Sequence, residues 1–328
     1  MMKLTAFDQV LVYGATGPAG AARESVRLAV AAEHLGYDRF WVAEHHGATS
    51  GCGSPEVLVA AAAAETATIR VGTASVLLPH YAPLKVATTF NLLERLFPGR
   101  VDLGIGRGPG AGQTVVQQLA RPGEAPYPEK IEALLSHLTA GTDLLPESTP
   151  PQLWLTGAGP GGAQLAARYG LPFCLAQFAH GTLRPDIVEL YRDNFRPGPL
   201  GAVPRVSIAA RVACADDARD VRLLRSLLTL AAAPTSRRTL PSWDELHALD
   251  STAPPPGRPD ADGMSVLAGV PTEVADKLAA LIAAYSPDEL AVTTVCPDFD
   301  LRVRTLELVR AMVPSGNQWA GTACGFGP

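Results

Sequence analysis

Residues 69–105 read IRVGTASVLLPHYAPLKVATTFNLLERLFPGRVDLGI. Residues 69–72 and 75–78 read as strand, Pro83 opens a helix that stops before Pro98-Gly99, and 101–105 reads as the next strand. The same alternation runs outward in both directions. Upstream, an apolar run closes at Leu11-Val12-Tyr13, a helix spans 19–35 and a strand spans 39–43. Ser54 is expected to cap a further helix with Pro55 at its first position. Downstream, helices are expected over 127–138, 164–169, 184–195, 216–230, 272–285 and 301–312, and strands over 153–155, 172–176, 206–212 and 289–294. About eight strands alternating with about eight helices predict an α/β protein, a closed (β/α)8 barrel, with a doubly wound open sheet as the alternative.

Two stretches interrupt the rhythm. Residues 121–128 hold three prolines, and 234–263 is a long Pro-rich connection centred on Pro254-Pro255-Pro256 that reads as a mobile segment or a substrate lid. Residues 1–314 are expected to form one barrel domain, and 315–328 a loose C-terminal tail.

Composition narrows the classes of function. The 328 residues carry 27 Lys+Arg against 32 Asp+Glu, a net charge of −5, and 47% are hydrophobic. A nucleic acid or an anionic membrane needs a clustered basic face, so neither is expected as a partner. The longest apolar run, 57–64, is far shorter than the roughly 20 residues needed to span a bilayer. Asp8 and Gln9 lie where a signal peptide would be apolar, so a cytoplasmic protein is expected. The five cysteines are scattered without a CxxC, which is neither a disulfide framework nor a zinc site, and no metal is expected. Cys52 falls in a loop near the expected site and reads as inert.

The active site of such a barrel lies at the C-terminal edge of its strands. There the second strand runs into Glu44-His45-His46, which can present one histidine to the mouth and the other outward. The third ends at Gly72-Thr73-Ala74-Ser75, where small side chains either admit a planar ligand or simply pack. The fourth runs into Gly104-Ile105-Gly106-Arg107-Gly108, with an arginine suited to an anion or else solvated. The fifth leads into Gly157-Ala158-Gly159-Pro160-Gly161-Gly162 and a helix, a phosphate cradle or a turn that needs glycine. An acidic ribose anchor is missing after the next strand, where Gln177-Phe178-Ala179 stands, so a full dinucleotide site is not expected. The few charges near the mouth favour an apolar substrate.

Residues 40–46 (FWVAEHH), 54–58 (SPEVL), 69–72, 77–87 (LLPHYAPLKVA) and 97–107 (FPGRVDLGIGR) together resemble the bacterial luciferase-like flavin monooxygenases, most closely the single-subunit luciferase family oxidoreductases. The likeness returns at 170–173 and 288–294. It implies a luciferase-like (β/α)8 TIM barrel and an enzyme that uses reduced FMN (FMNH2) delivered by a separate flavin reductase. In that family O2 adds to the flavin as a C4a-peroxide, which then oxygenates an organic substrate by hydroxylation, epoxidation or Baeyer–Villiger insertion. The substrate expected here is a largely apolar one, such as a polycyclic natural-product intermediate.

By the same resemblance His45 is the active-site histidine. Glu44, Ala74, Ser75, Arg107, Ala158, Gly159, Gly161 and Gly162 contact the cofactor, with a non-proline cis peptide at Ala74-Ser75. A homodimer is implied as well. The phosphate loop departs from the family pattern, since it has no side-chain hydroxyl and Pro160 has no N–H. The expectation is weak flavin affinity, with FMN a loosely bound co-substrate. Position 106 is a glycine where the luciferases proper carry a bulkier residue, so more space is expected beside the ring. Two other readings remain open: an F420-dependent oxidoreductase of the same superfamily, and a non-catalytic flavin-binding relative.

Overall fold

A computed structural model describes residues 2–108, 110, 112–119, 125–139, 149–232, 239–250 and 264–313. Along the chain they form β1 (Lys3–Asp8), α1 (Gly17–His34), β2 (Arg39–Val42), α2 (Pro55–Glu65), β3 (Arg70–Thr73), β4 (Val76–Leu77), α3 (Pro83–Leu96) and β5 (Val101–Gly106). Then follow α4 (Gln113–Leu119), α5 (Tyr127–Thr139), β6 (Gln152–Gly157), α6 (Pro160–Arg168), β7 (Phe173–Ala176), α7 (Pro185–Asp193) and β8 (Val206–Cys214). The last elements are α8 (Ala218–Ala232), α9 (Trp243–Asp250), β9 (Leu267–Gly269), α10 (Pro271–Tyr285), β10 (Glu289–Thr294) and α11 (Phe299–Met312).

Eight strands close in the order β10-β1-β2-β3-β5-β6-β7-β8, and β8 pairs back to β10. Every pairing is parallel. Closure excludes the open doubly wound sheet. The two short strands add to the rim: β4 pairs with β5 at Val76–Ile105 and Leu77–Gly106, and β9 pairs with the end of β8.

Alternation along the strands sorts the residues into two cores. Leu4, Ala6, Phe40, Val42, Val71, Leu103, Ile105, Leu155, Ile208 and Val292 face the helices in one large cluster. Phe7, Trp41, Ala43, Ala74, Trp154, Cys174, Ala209 and Ala291 fill the barrel interior. The floor of the interior is ionic. Arg39, the first residue of β2, lies 2.6 Å from Asp102 and 2.8 Å from Glu289. Arg70 and the Trp41 indole also bond Asp102, and Arg205 bonds Glu289. All three residues of the central set are almost fully buried.

Two glycines are required by strand packing. A Cβ on Gly72 would stand 2.3 Å from the Asp102 carbonyl oxygen, and one on Gly104 would stand 2.0 Å from that of Thr73. The packing alternative for the third strand end therefore holds for Gly72.

The structure corrects several boundaries. β1 lies earlier than the apolar run ending at Tyr13; Leu11 and Tyr13 instead make single bridges to Ser50 and Leu240. Ser54 makes no side-chain capping bond, and Pro55 alone marks the start of α2. α6 begins at Pro160, so half of the expected glycine loop is helix. Helix α9 lies inside the Pro-rich connection; residues 234–238 and 251–263 of that segment, and 314–328 with Cys324, lie outside the described residues. No helix among the described residues is long and apolar enough to cross a membrane.

Candidate active site at the barrel mouth

The chain leaves β2 through Ala43 and Glu44. Glu44 is buried, and its carboxylate accepts three protein donors: His46 Nε2 at 2.6 Å, the Leu77 N–H at 2.8 Å and the Tyr81 hydroxyl at 2.7 Å. The carboxylate thus ties the second strand's exit to β4 and to the segment before α3. It holds the walls of the mouth in place and has little capacity left for a ligand. Tyr81 was not anticipated from sequence.

His46 turns to Glu44 and meets the His80 ring edge-on, with centroids 6.2 Å apart. His45 is the other histidine. Its backbone N–H donates to the Cys52 carbonyl at 2.9 Å, while its ring has no hydrogen bond among the described residues. Burial lowers its pKa below 6.5; the Glu44 charge opposes this and His46 adds to it. The two adjacent histidines therefore differ: His46 is bonded to Glu44, and the His45 ring has no hydrogen bond among the described residues.

The Ala74–Ser75 peptide is cis. Ala74 belongs to the interior cluster, and the Ser75 hydroxyl lies over Gly106. A Cβ at position 106 would stand 2.2 Å from Ser75 Oγ. The extra space expected beside Gly106 is therefore taken by that hydroxyl.

Arg107 follows directly on β5. It is exposed and has no ion pair among the described residues, and it lies near the Tyr127 hydroxyl, whose pKa burial raises against the pull of that guanidinium. The Tyr127 oxygen is buried without a partner. Ala158 and Gly159 follow on the neighbouring strand β6, which pairs with β5 through Ile105 and Leu155. In the first turn of α6, the Gly162 N–H donates to the Gly159 carbonyl at 3.1 Å. The N–H groups of Gly159 and Gly161 have no acceptor among the described residues, and nothing stands within 4 Å of a Cβ placed on either. An open helix N-terminus thus follows β6, and an exposed, unpaired arginine follows the neighbouring strand β5; each feature suits a phosphate. Sequence reading missed His180, whose Nε2 bonds the Ala158 carbonyl and adds an imidazole to this corner.

The remaining wall brings together residues from distant strands. Phe7 and Phe178 stack at a tilt, with centroids 6.3 Å apart. Arg211 on β8 sits over the Phe178 ring. The scarcity of charge expected at the mouth is broken by this arginine. Sequence reading missed Arg211; a cation inside an otherwise apolar parallel strand is a signal that it is unusual, though not of where it points. Cys52 is buried and its thiol is pushed up to about 12, which leaves it protonated and unreactive.

Comparison with known proteins matches residues 2–286 to the model of the luciferase-like monooxygenases. YwcH of Bacillus subtilis (strain 168) is 35% identical over 332 residues, covering 94% of this chain and 98% of its own. A luciferase-like monooxygenase of Escherichia coli (strain K12) is 31% identical over 303 residues, 88% of this chain and 90% of its own. Among solved structures, apo-MsnO8 superposes with a TM-score of 0.87 at 33% identity, over 95% of this chain and 98% of that one.

Proposed function

Since this chain belongs to the luciferase-like monooxygenase family, we propose that it is an FMN-dependent oxygenase acting on a largely apolar organic substrate. Reduced FMN would supply two electrons to O2, so that one oxygen atom enters the substrate and the other leaves as water. The observation that carries the reading is that an unpartnered Arg107 and the free amides of Gly159 and Gly161 follow the ends of the neighbouring strands β5 and β6.

In this reading Arg107 and those two amides hold the phosphate, with Ala158 and Gly162 shaping the cradle. The Ala74-Ser75 edge supports the ring. Glu44 acts as a positioning residue through His46, Leu77 and Tyr81. His45 faces the reacting centre with a neutral imidazole, able to take and return a proton near neutral pH. Phe7 and Phe178 keep water from the mouth. Backbone donors without side-chain hydroxyls make the cradle weak, which suits a flavin that arrives reduced from a separate reductase and leaves after each turnover.

The same reading takes residues 1–314 as one barrel domain of a cytoplasmic homodimer. Exposed Val57 on α2 and Leu92 and Leu96 on α3 support the pairing, and the four thiols among the described residues, all free and buried, suit a reducing compartment.

Anaerobic titration with reduced FMN, read by tryptophan fluorescence, tests the proposal. Saturable binding is expected, weakened about tenfold or more in Arg107→Gln. Binding of reduced F420 in place of FMN would transfer the site to hydride chemistry. Binding of neither would leave a non-catalytic relative.

A further inference from the structure

Arg211 occupies the seventh strand of the barrel, β8. Its neighbours Ala210 and Val212 face the helices, so Arg211 points inward with Ser207 and Ala209. Its register partner on β10 is Thr293, which is level with Phe7 on β1. The guanidinium carbon lies 5.1 Å from the centroid of Phe178. Its Nε is shut off from solvent without a hydrogen bond, and Thr293 Oγ1 beside it is orphaned in the same way.

No carboxylate answers this cation among the described residues. Asp8, at the end of β1, is taken by Arg302 at 2.9 Å. Glu44 is already engaged by three donors. The polar group felt by Arg211 is the Tyr13 hydroxyl, whose pKa burial raises, so that it stays a neutral phenol. Arg39, Arg205 and Arg302 show the contrast: each sits against an acidic side chain. Arg211 as a whole is half-buried, with its Nε fully enclosed, and a partly desolvated cation with no counter-ion is costly to keep unless something binds it. Burial also lowers the pKa of Arg211, in keeping with its lack of a counter-ion.

Resting on the oxygenase reading above, we infer that Arg211 anchors a carboxylate on the substrate, whose aromatic or apolar body lies against Phe7 and Phe178. A planar guanidinium donates two parallel hydrogen bonds to a carboxylate, and this fixes orientation as well as affinity. Thr293 Oγ1 offers a further donor to the same group. The substrate is thus an amphipathic acid, and Arg211 sets which of its ends enters the barrel first.

The test uses the full chain without flavin, so that it is scored apart from FMN binding. 2-Naphthoate and its neutral isostere 2-naphthamide are titrated into wild type, Arg211→Gln, Arg211→Lys and Arg107→Gln, with tryptophan fluorescence as the readout. Wild type should bind the carboxylate at least about tenfold tighter than the amide. Arg211→Gln should lose that preference, Arg211→Lys should keep part of it, and Arg107→Gln should keep it all. Arg211→Gln should also melt no lower than wild type, because it removes an uncompensated charge. Equal affinity of wild type for the two probes, or no binding of either, would overturn the inference. So would a preference lost in Arg107→Gln and not in Arg211→Gln, or a marked fall in the melting temperature of Arg211→Gln.

Discussion

His46 Nε2 donates to Glu44 Oε1 at 2.6 Å, and this bond separates two adjacent histidines into different roles. It turns His46 into the wall of the mouth and leaves the His45 imidazole without a partner among the described residues.

Glu44→Gln tests that wall. An amide can accept only on its oxygen, so its NH2 must face one of the donors from His46, Leu77 or Tyr81. The expected loss is about 1–3 kcal/mol of stability, measured by urea unfolding. An unchanged midpoint would mean that the three bonds do not act together.

His45 predicts a pH dependence of known sign. Its folded pKa lies below the ordinary 6.5, because burial disfavours the imidazolium. Below about pH 6.5 the unfolded chain therefore binds a proton that the folded chain does not, and stability falls as pH drops toward the folded value. Urea midpoints collected from about pH 8 to pH 5 should fall more steeply for wild type than for His45→Asn. A shallower fall in wild type would mean that the fold stabilises the protonated ring.

The barrel floor is predicted to be sensitive to a single charge. Arg39→Met removes a cation shared by Asp102 and Glu289 and leaves each acid with fewer donors in a dry interior. Breaking a buried pair from one side costs about 3–5 kcal/mol. Equilibrium unfolding should show that loss, and a neutral result would show that Arg70 and Arg205 suffice.

Two glycines on β5 should respond unequally. In Gly104→Ala the new Cβ meets a backbone carbonyl at 2.0 Å, and the β3–β5 pairing must open to relieve it. A cost of about 3 kcal/mol is expected. In Gly106→Ala the clash is with the tip of Ser75, which can rotate, so less than about 1 kcal/mol is expected. The order of the two urea midpoints decides this prediction.

The sequence made some of this structure legible and hid the rest for physical reasons. Proline at the first helical turn marked α2 and α3, because the ring presets φ where no N–H is needed. The same signal at Pro160 was masked by the flanking glycines, which weaken helix propensity. β9 has three residues and α9 eight, too short to show a period within a Pro-rich segment. His45, Arg107 and the Gly157–Gly162 segment could be found because each follows its own strand end. Arg211, Phe178 and Tyr81 could not be placed at the mouth, because they meet it only through barrel closure and register.

The most direct test of the central claim is the reaction of reduced FMN with oxygen on the protein. Anaerobic protein carrying reduced FMN is mixed with oxygenated buffer in a stopped-flow absorbance instrument, wild type beside His45→Ala. The account predicts that oxidised FMN returns in wild type only after a clear delay, and that the delay shortens in the variant. Reoxidation at the rate of free reduced FMN, the same in both proteins, would contradict it.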